Sequence, residues 1–314
     1  MFWIKPILIC LSTTIFIKAL NDVIVLDSWN SNYQWENEWD YVTQTGYQTG
    51  NNEVQDYSPK QVQVIDNGTS VGLILQRTDE GRYLSGKIQM KKTISQMAPN
   101  GGAFEISFNI PKNRFEGDGG GEYSKSLASG LWPAIWIISR GAVWPTGGES
   151  DLLEMMHKRE SPQSTSTGFS TLHFGPRRGV DAVYDGHWGL KVASFKLSDE
   201  DTQSLYFSWR RTGKNMKWLM EQRVNGVSVW SQATDQVDRF LNFEDGKKFE
   251  RASAHEFSSR GDGNPAKIFQ NAFDNLPMYV NINLAFGGTP FSYVNRTLVS
   301  SIFIITRFRL WKSQ

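Results

Sequence analysis

The 314-residue chain holds one cysteine, Cys10, and four histidines, and its 33 basic and 32 acidic side chains leave a formal net charge of +1. The lone cysteine sits in the opening segment, so the remainder forms no disulfide and must be held by burial. Balanced charge is no electrostatic footprint for nucleic acid or an anionic membrane surface. His157, His173, His187 and His255 show no metal-ligand spacing, and no long segment has helical periodicity. Apolar residues make up 39% of the chain, enough for a substantial core, which excludes a disordered chain. What is plentiful is aromatic: Trp 12, Tyr 10 and Phe 19, alongside Gly 28. That mixture favours pleated, turn-rich structure and flat aromatic surfaces of the kind sugar rings pack against.

The opening stretch carries a mostly apolar run from Pro6 to Ile17 and a small residue, Ala19, as on a cleavable secretory signal over residues 1–19. A retained membrane anchor is the competing reading, but a span needs about 20 apolar residues and Lys18 ends this run early. Two glycosylation sequons, at Asn67 and Asn295, are compatible with a secretory route. Length alone would allow about two domains. With no repeat and no linker, residues 20–314 are read as one domain.

Period-two alternation runs through Phe104 to Ile110 and through Tyr279 to Phe286, where Asn281 and Asn283 fall on one face. Val62 to Ile65 and Val71 to Leu75 flank Asp66-Asn67-Gly68, a hairpin signal. Further strands are expected at Leu205 to Arg210, Lys217 to Gln222, Val227 to Trp230 and Ile302 to Leu310, spaced as in an all-β sandwich of two antiparallel sheets. Two loops stand out: Glu116 to Ser126, and the charged stretch Asp235 to Asn275, a lid or a helix-bearing insertion.

Chemistry concentrates between Leu131 and Met156, where Glu149, Asp151 and Glu154 sit in an apolar strand beside Trp136 and Trp144. On a regular strand Glu149 and Asp151 share a face and Glu154 points to the other. One looped-out residue after Asp151 would bring all three together, and bulges are favoured beside active sites for that reason. The two glutamates would then stand roughly 13 Å apart at Cα and could lean to about 5 Å, the separation used by retaining glycosidases. One carboxylate would attack, one carboxyl would stay protonated, and like-charge repulsion would drive their pKa values apart. A solvated edge strand would also carry acids, but it would not need the tryptophans.

Trp132-Pro-Ala-Ile-Trp136 followed by Trp144-Pro-x-x-Gly148-Glu149-x-Asp151-x-x-Glu154 resembles the signature of glycoside hydrolase family 16, in its laminarinase-like branch. The likeness continues in order through Gly50 to Tyr57, Leu84 to Ile88, Gly102 to Glu105, Thr171 to Gly175 and Asn281 to Gly288. The resemblance implies a β-jelly roll with a concave substrate cleft and retaining endo-hydrolysis of β-1,3-glucan of the laminarin kind. By position it makes Glu149 the nucleophile, Asp151 its assistant and Glu154 the general acid/base. Trp136 and Trp144 would be sugar platforms, with His173 and Asn283 also in the cleft. No cofactor is implied, although a structural calcium on the convex face is possible, with ligands that cannot be read here. The expected protein is secreted and monomeric, with a polysaccharide partner and no membrane association once the signal is cut.

Ser150 departs from the apolar β-branched residue usual at its place, and the Phe108–Leu131 loop is longer and richer in glycine than the pattern, which leaves linkage preference open. Rival readings are a mixed-linkage glucan, agar or carrageenan hydrolase and a non-catalytic β-glucan recognition protein. Near-neutral charge favours glucan over a sulfated galactan. Gly68-Thr-Ser70-Val-Gly72 matches a hydrolase nucleophile elbow in letters only, because it leads from a turn into a strand. Trp29, Trp35, Trp39, Trp188, Trp209, Trp218, Trp230 and Trp311 read as core or rim residues.

Overall fold

The computed structural model describes residues 23–117, 128–139, 144–158, 166–174, 188–198, 200–212, 217–234, 240–244, 247–251, 265–274, 277–291 and 293–313. The expected signal, residues 1–19, lies outside them, as does most of the Glu116 to Ser126 loop. Two sheets face each other. The inner one has seven antiparallel strands, in the order Trp188–Lys196, Thr167–Phe174, Glu149–Glu154, Leu131–Ser139, Met278–Phe286, Lys87–Met90, Trp39–Tyr41. The outer one has thirteen, with Gly101–Asn109 and Leu298–Lys312 at its centre. The expected all-β jelly-roll sandwich is therefore present. One pairing departs from purely antiparallel sheets: Gln55–Tyr57 runs parallel to Tyr83–Ser85.

Alternation explains the layers. In Gly101–Asn109 the even positions Phe104, Ile106 and Phe108 are fully buried and in contact with the core, while Glu105 faces outward to Arg309 at 2.8 Å. Phe104 packs against Phe207 and Phe308, with ring centroids 5.5 and 6.3 Å apart. The Met278–Phe286 strand is covered on both faces: Val280, Ile282, Leu284 and Phe286 enter the core, and Asn281 and Asn283 are buried on the other side. The hairpin across Asp66-Asn67-Gly68 forms, with Asn67 at the exposed turn in the left-handed region, φ 55°. Ser70 opens a strand there, so the elbow-like sequence is not an elbow. Within the charged insertion the helix Pro265–Phe273 sets Phe269 against Phe174, 5.0 Å between ring centroids. Of the tryptophans assigned to core or rim, six are buried and Trp29 is 57% exposed. The side chain of Trp188 lies outside the described residues.

Candidate active site

The Glu149–Glu154 strand is not regular. Against Leu131–Ser139, Leu153 pairs with Ile135 and Asp151 with Trp136, so Leu152 has no opposite residue. Against Thr167–Phe174, Asp151 pairs with Thr171 and Glu154 with Phe169, which again leaves one residue too many. This is the bulge that the spacing of the three acids called for. Leu152 and Leu153 are both fully buried, and the register continues beyond them with Glu154 on the same face as Asp151.

Partners opposite one another across a sheet share a face, so the register lays out the floor of the site. One row reads Lys87, Asn283, Ala134, Glu154, Phe169; the next reads Gln89, Asn281, Trp136, Asp151, Thr171; the third reads Tyr279, Ile138, Glu149, His173. All three acids, with Trp136, His173 and Asn283, therefore stand on one face of the inner sheet, and Trp144 lies in the turn that precedes Glu149. Gly148, which leads into Glu149, adopts φ +73°, and a Cβ there would press on Met278 and Ala272.

Each acid has a fixed donor. Trp144 Nε1 donates to Glu149, and the Trp144 ring lies 6.0 Å from the His173 ring. Trp132 Nε1 donates to Glu154 Oε1 at 3.0 Å. His173 Nε2 lies 2.9 Å from Asp151 Oδ2. Trp136 is held by its edge, its Nε1 donating to Asn283 Oδ1 at 2.6 Å while Asn283 Nδ2 donates to Tyr57 Oη at 3.0 Å. Tyr57 in turn donates to Glu53 Oε2 at 2.9 Å. Lys87 Nζ sits 5.1 Å over the Trp136 ring and donates to Gln44 Oε1 at 3.0 Å.

Electrostatics then follow from burial. Loss of water pushes Glu149 up to about 8, repulsion from Asp151 adds to this, and His173, the Trp144 N–H and Lys87 pull it back. Burial also raises Asp151, to about 7, while its hydrogen bond with Glu149 lowers it. Glu154 is raised well above the usual carboxylate range, first by burial and then by Asp151. Carboxyls this close together titrate as a coupled set, and the common direction is upward, toward the protonated forms. His157 is buried elsewhere and pushed down to about 4, which keeps it neutral.

Trp132, Glu53, Tyr57 and Lys87 were not foreseen as site residues. Trp132 carried a legible signal, since it lies on the same strand face as Trp136. The other three lay within segments that carry the family likeness, without a role. The sequons are both near the surface; Asn67 is exposed, and Asn295 Oδ1 is bonded by Thr297 Oγ1 at 2.8 Å. The possible calcium would need a cluster of carboxylate and carbonyl oxygens. Among the described residues no three His, Cys, Asp or Glu converge on such a point, and Asp27 and Glu105 on the outer sheet are bonded to Arg307 and Arg309.

No family model matches the chain. It is 24% identical over 286 residues to glucan endo-1,3-beta-glucosidase A1 of Niallia circulans, covering 85% of this chain and 34% of that protein. Over 153 residues it is 24% identical to a beta-1,3-glucan-binding protein of Penaeus monodon, covering 45% of this chain and 36% of that one. The chain thus spans about a third of the length of these curated relatives. Its fold matches the laminarinase catalytic domain from Thermotoga maritima with TM-score 0.60 at 20% identity, over 93% of this chain and 99% of that chain. The chain has the laminarinase fold that its motifs implied.

Proposed function

We propose that this chain, built on the laminarinase fold, is a secreted retaining endo-glycosidase that hydrolyses β-1,3-glucan by double displacement. The observation that carries the reading is the extra residue after Asp151, which sets Glu149, Asp151 and Glu154 on one face of the inner sheet beside Trp132, Trp136 and Trp144. A strand whose acids served only solubility would not need an irregular register, nor would it bury them.

Glu149 attacks the anomeric carbon as the carboxylate, held in place by the Trp144 N–H, while Asp151 takes its proton. Glu154, whose burial favours the protonated form, gives its proton to the departing glucan oxygen. Its Oε1 accepts from Trp132, which leaves Oε2 to carry that proton. The result is a glycosyl ester on Glu149 and a free chain end. Glu154, now ionised, takes a proton from water, the hydroxide replaces Glu149 at the anomeric carbon, and both carboxyl groups return to their starting forms. Two inversions give net retention.

The test is a product profile on laminarin, lichenan, agarose and carrageenan, read by reducing ends and by chain length. Laminarin should be cut internally and fastest. Preference for lichenan or a galactan would move the substrate class, and binding to laminarin without new reducing ends would make the chain a recognition protein like its Penaeus relative. The presence of both glutamates favours hydrolysis.

A further inference from the structure

A bulge breaks ladder hydrogen bonds, and the carbonyls it frees need partners in a buried strand. That of Leu152 finds one across the sandwich, and that of Asp151 finds one on the neighbouring strand of its own sheet. Gln222, on the outer-sheet strand Lys217–Val224, donates through Nε2 to Leu152 O at 2.6 Å. Ser170 Oγ lies 2.7 Å from Asp151 O and 2.9 Å from Gln222 Oε1. Trp230 Nε1 donates to Gln222 Oε1 at 2.5 Å and lies 3.0 Å from Ser170 Oγ. Ser170 and Gln222 are fully buried and Trp230 nearly so.

We propose that Gln222, with Ser170 and Trp230, is a positioning device for Glu154, holding from behind the looped-out residue that turns this acid into the cleft. The inference rests on the reading of Glu154 as acid/base. Gln222 occupies a core-facing place in a row with Trp218, Met220 and Val224, where a glutamine is costly unless bonded. All of its amide contacts go to the bulge and to the two residues that brace it. If Leu152 slipped into the ladder, every later residue would change face: Leu153 would enter the cleft and Glu154 the core. Glu149 and Asp151 precede the bulge and are registered against His173 and Thr171, so they would stay in place. Loss of the brace should therefore strike the acid/base and spare the nucleophile.

The experiment compares kcat/KM on laminarin with kcat/KM on a dinitrophenyl β-laminaribioside, whose leaving group needs no acid, in wild type, Gln222→Met and Ser170→Ala. Methionine keeps length and loses all three hydrogen bonds of the amide; Ser170→Ala is the milder change should the first fold poorly. The expected result is a loss on laminarin of about tenfold to a hundredfold, as for a misplacement of about 1 Å, with the aryl glycoside within about twofold of wild type. Equal losses on both substrates in either folded variant, or no loss on laminarin, would overturn the proposal alone. A wild type that cleaves neither substrate overturns the glucanase reading and the positioning role with it.

Discussion

His173 Nε2 contacts Asp151 Oδ2 at 2.9 Å, and Asp151 is the acid whose charge raises both of its glutamate neighbours. Replacing Asp151 by Asn removes that repulsion while keeping the shape. Glu149 and Glu154 should both titrate lower, so the acidic and alkaline limbs of kcat/KM on laminarin both move to lower pH. Trp144→Phe should move the acidic limb the other way, since it removes a donor that favours the Glu149 carboxylate. A pH profile that stays put in both variants would contradict the electrostatic account.

Glu149→Gln should lower turnover by about a thousandfold or more, because the amide cannot attack the anomeric carbon. It should also make the protein more stable above pH 5. A carboxyl whose pKa is raised by folding contributes stability in full below its unfolded value, near 4.5, and loses it as pH rises through about 8. The variant has no such loss, so its advantage in thermal denaturation should grow between pH 5 and 8. An advantage that shrinks over this range would count against a raised pKa.

Glu154→Gln should lose polysaccharide hydrolysis yet keep kcat/KM on aryl glycosides with good leaving groups, which depart without a proton. Equal loss on both would remove Glu154 from the acid role.

Ser150 lies between two of these acids, points into the core and has no hydrogen-bond partner for Oγ among the described residues. A buried unpaired hydroxyl costs about 1 to 3 kcal/mol. Ser150→Val should therefore raise stability by about 1 kcal/mol, or about 2 °C in Tm for a chain of this size, with kcat on laminarin unchanged. A lower Tm would mean that the core has no room for the added methyl.

Much of this architecture could be read from alternation and parity. Phe104, Ile106 and Phe108 are legible as an inward row, and the odd gap between Asp151 and Glu154 demands one looped-out residue if the three acids are to share a face. What braces that residue was hidden, because Gln222 and Ser170 meet it only through tertiary contact. A trace was present, since Gln222 falls in the apolar register of Trp218, Met220 and Val224, where a polar residue asks for a partner. The path from Trp136 through Asn283 and Tyr57 to Glu53 was equally out of reach, as it joins three separated segments. So was the parallel pairing of Gln55–Tyr57 with Tyr83–Ser85, which local propensity does not encode.

The central claim is that Glu149 forms a covalent glycosyl ester. Incubation with a 2-deoxy-2-fluoro-β-laminaribiosyl fluoride, whose fluorine slows hydrolysis of the ester, should inactivate the protein. Peptide mass spectrometry should then place one sugar label on Glu149. A label on Glu154, or turnover of laminarin with no label and release of the inverted α-anomer, would contradict the account.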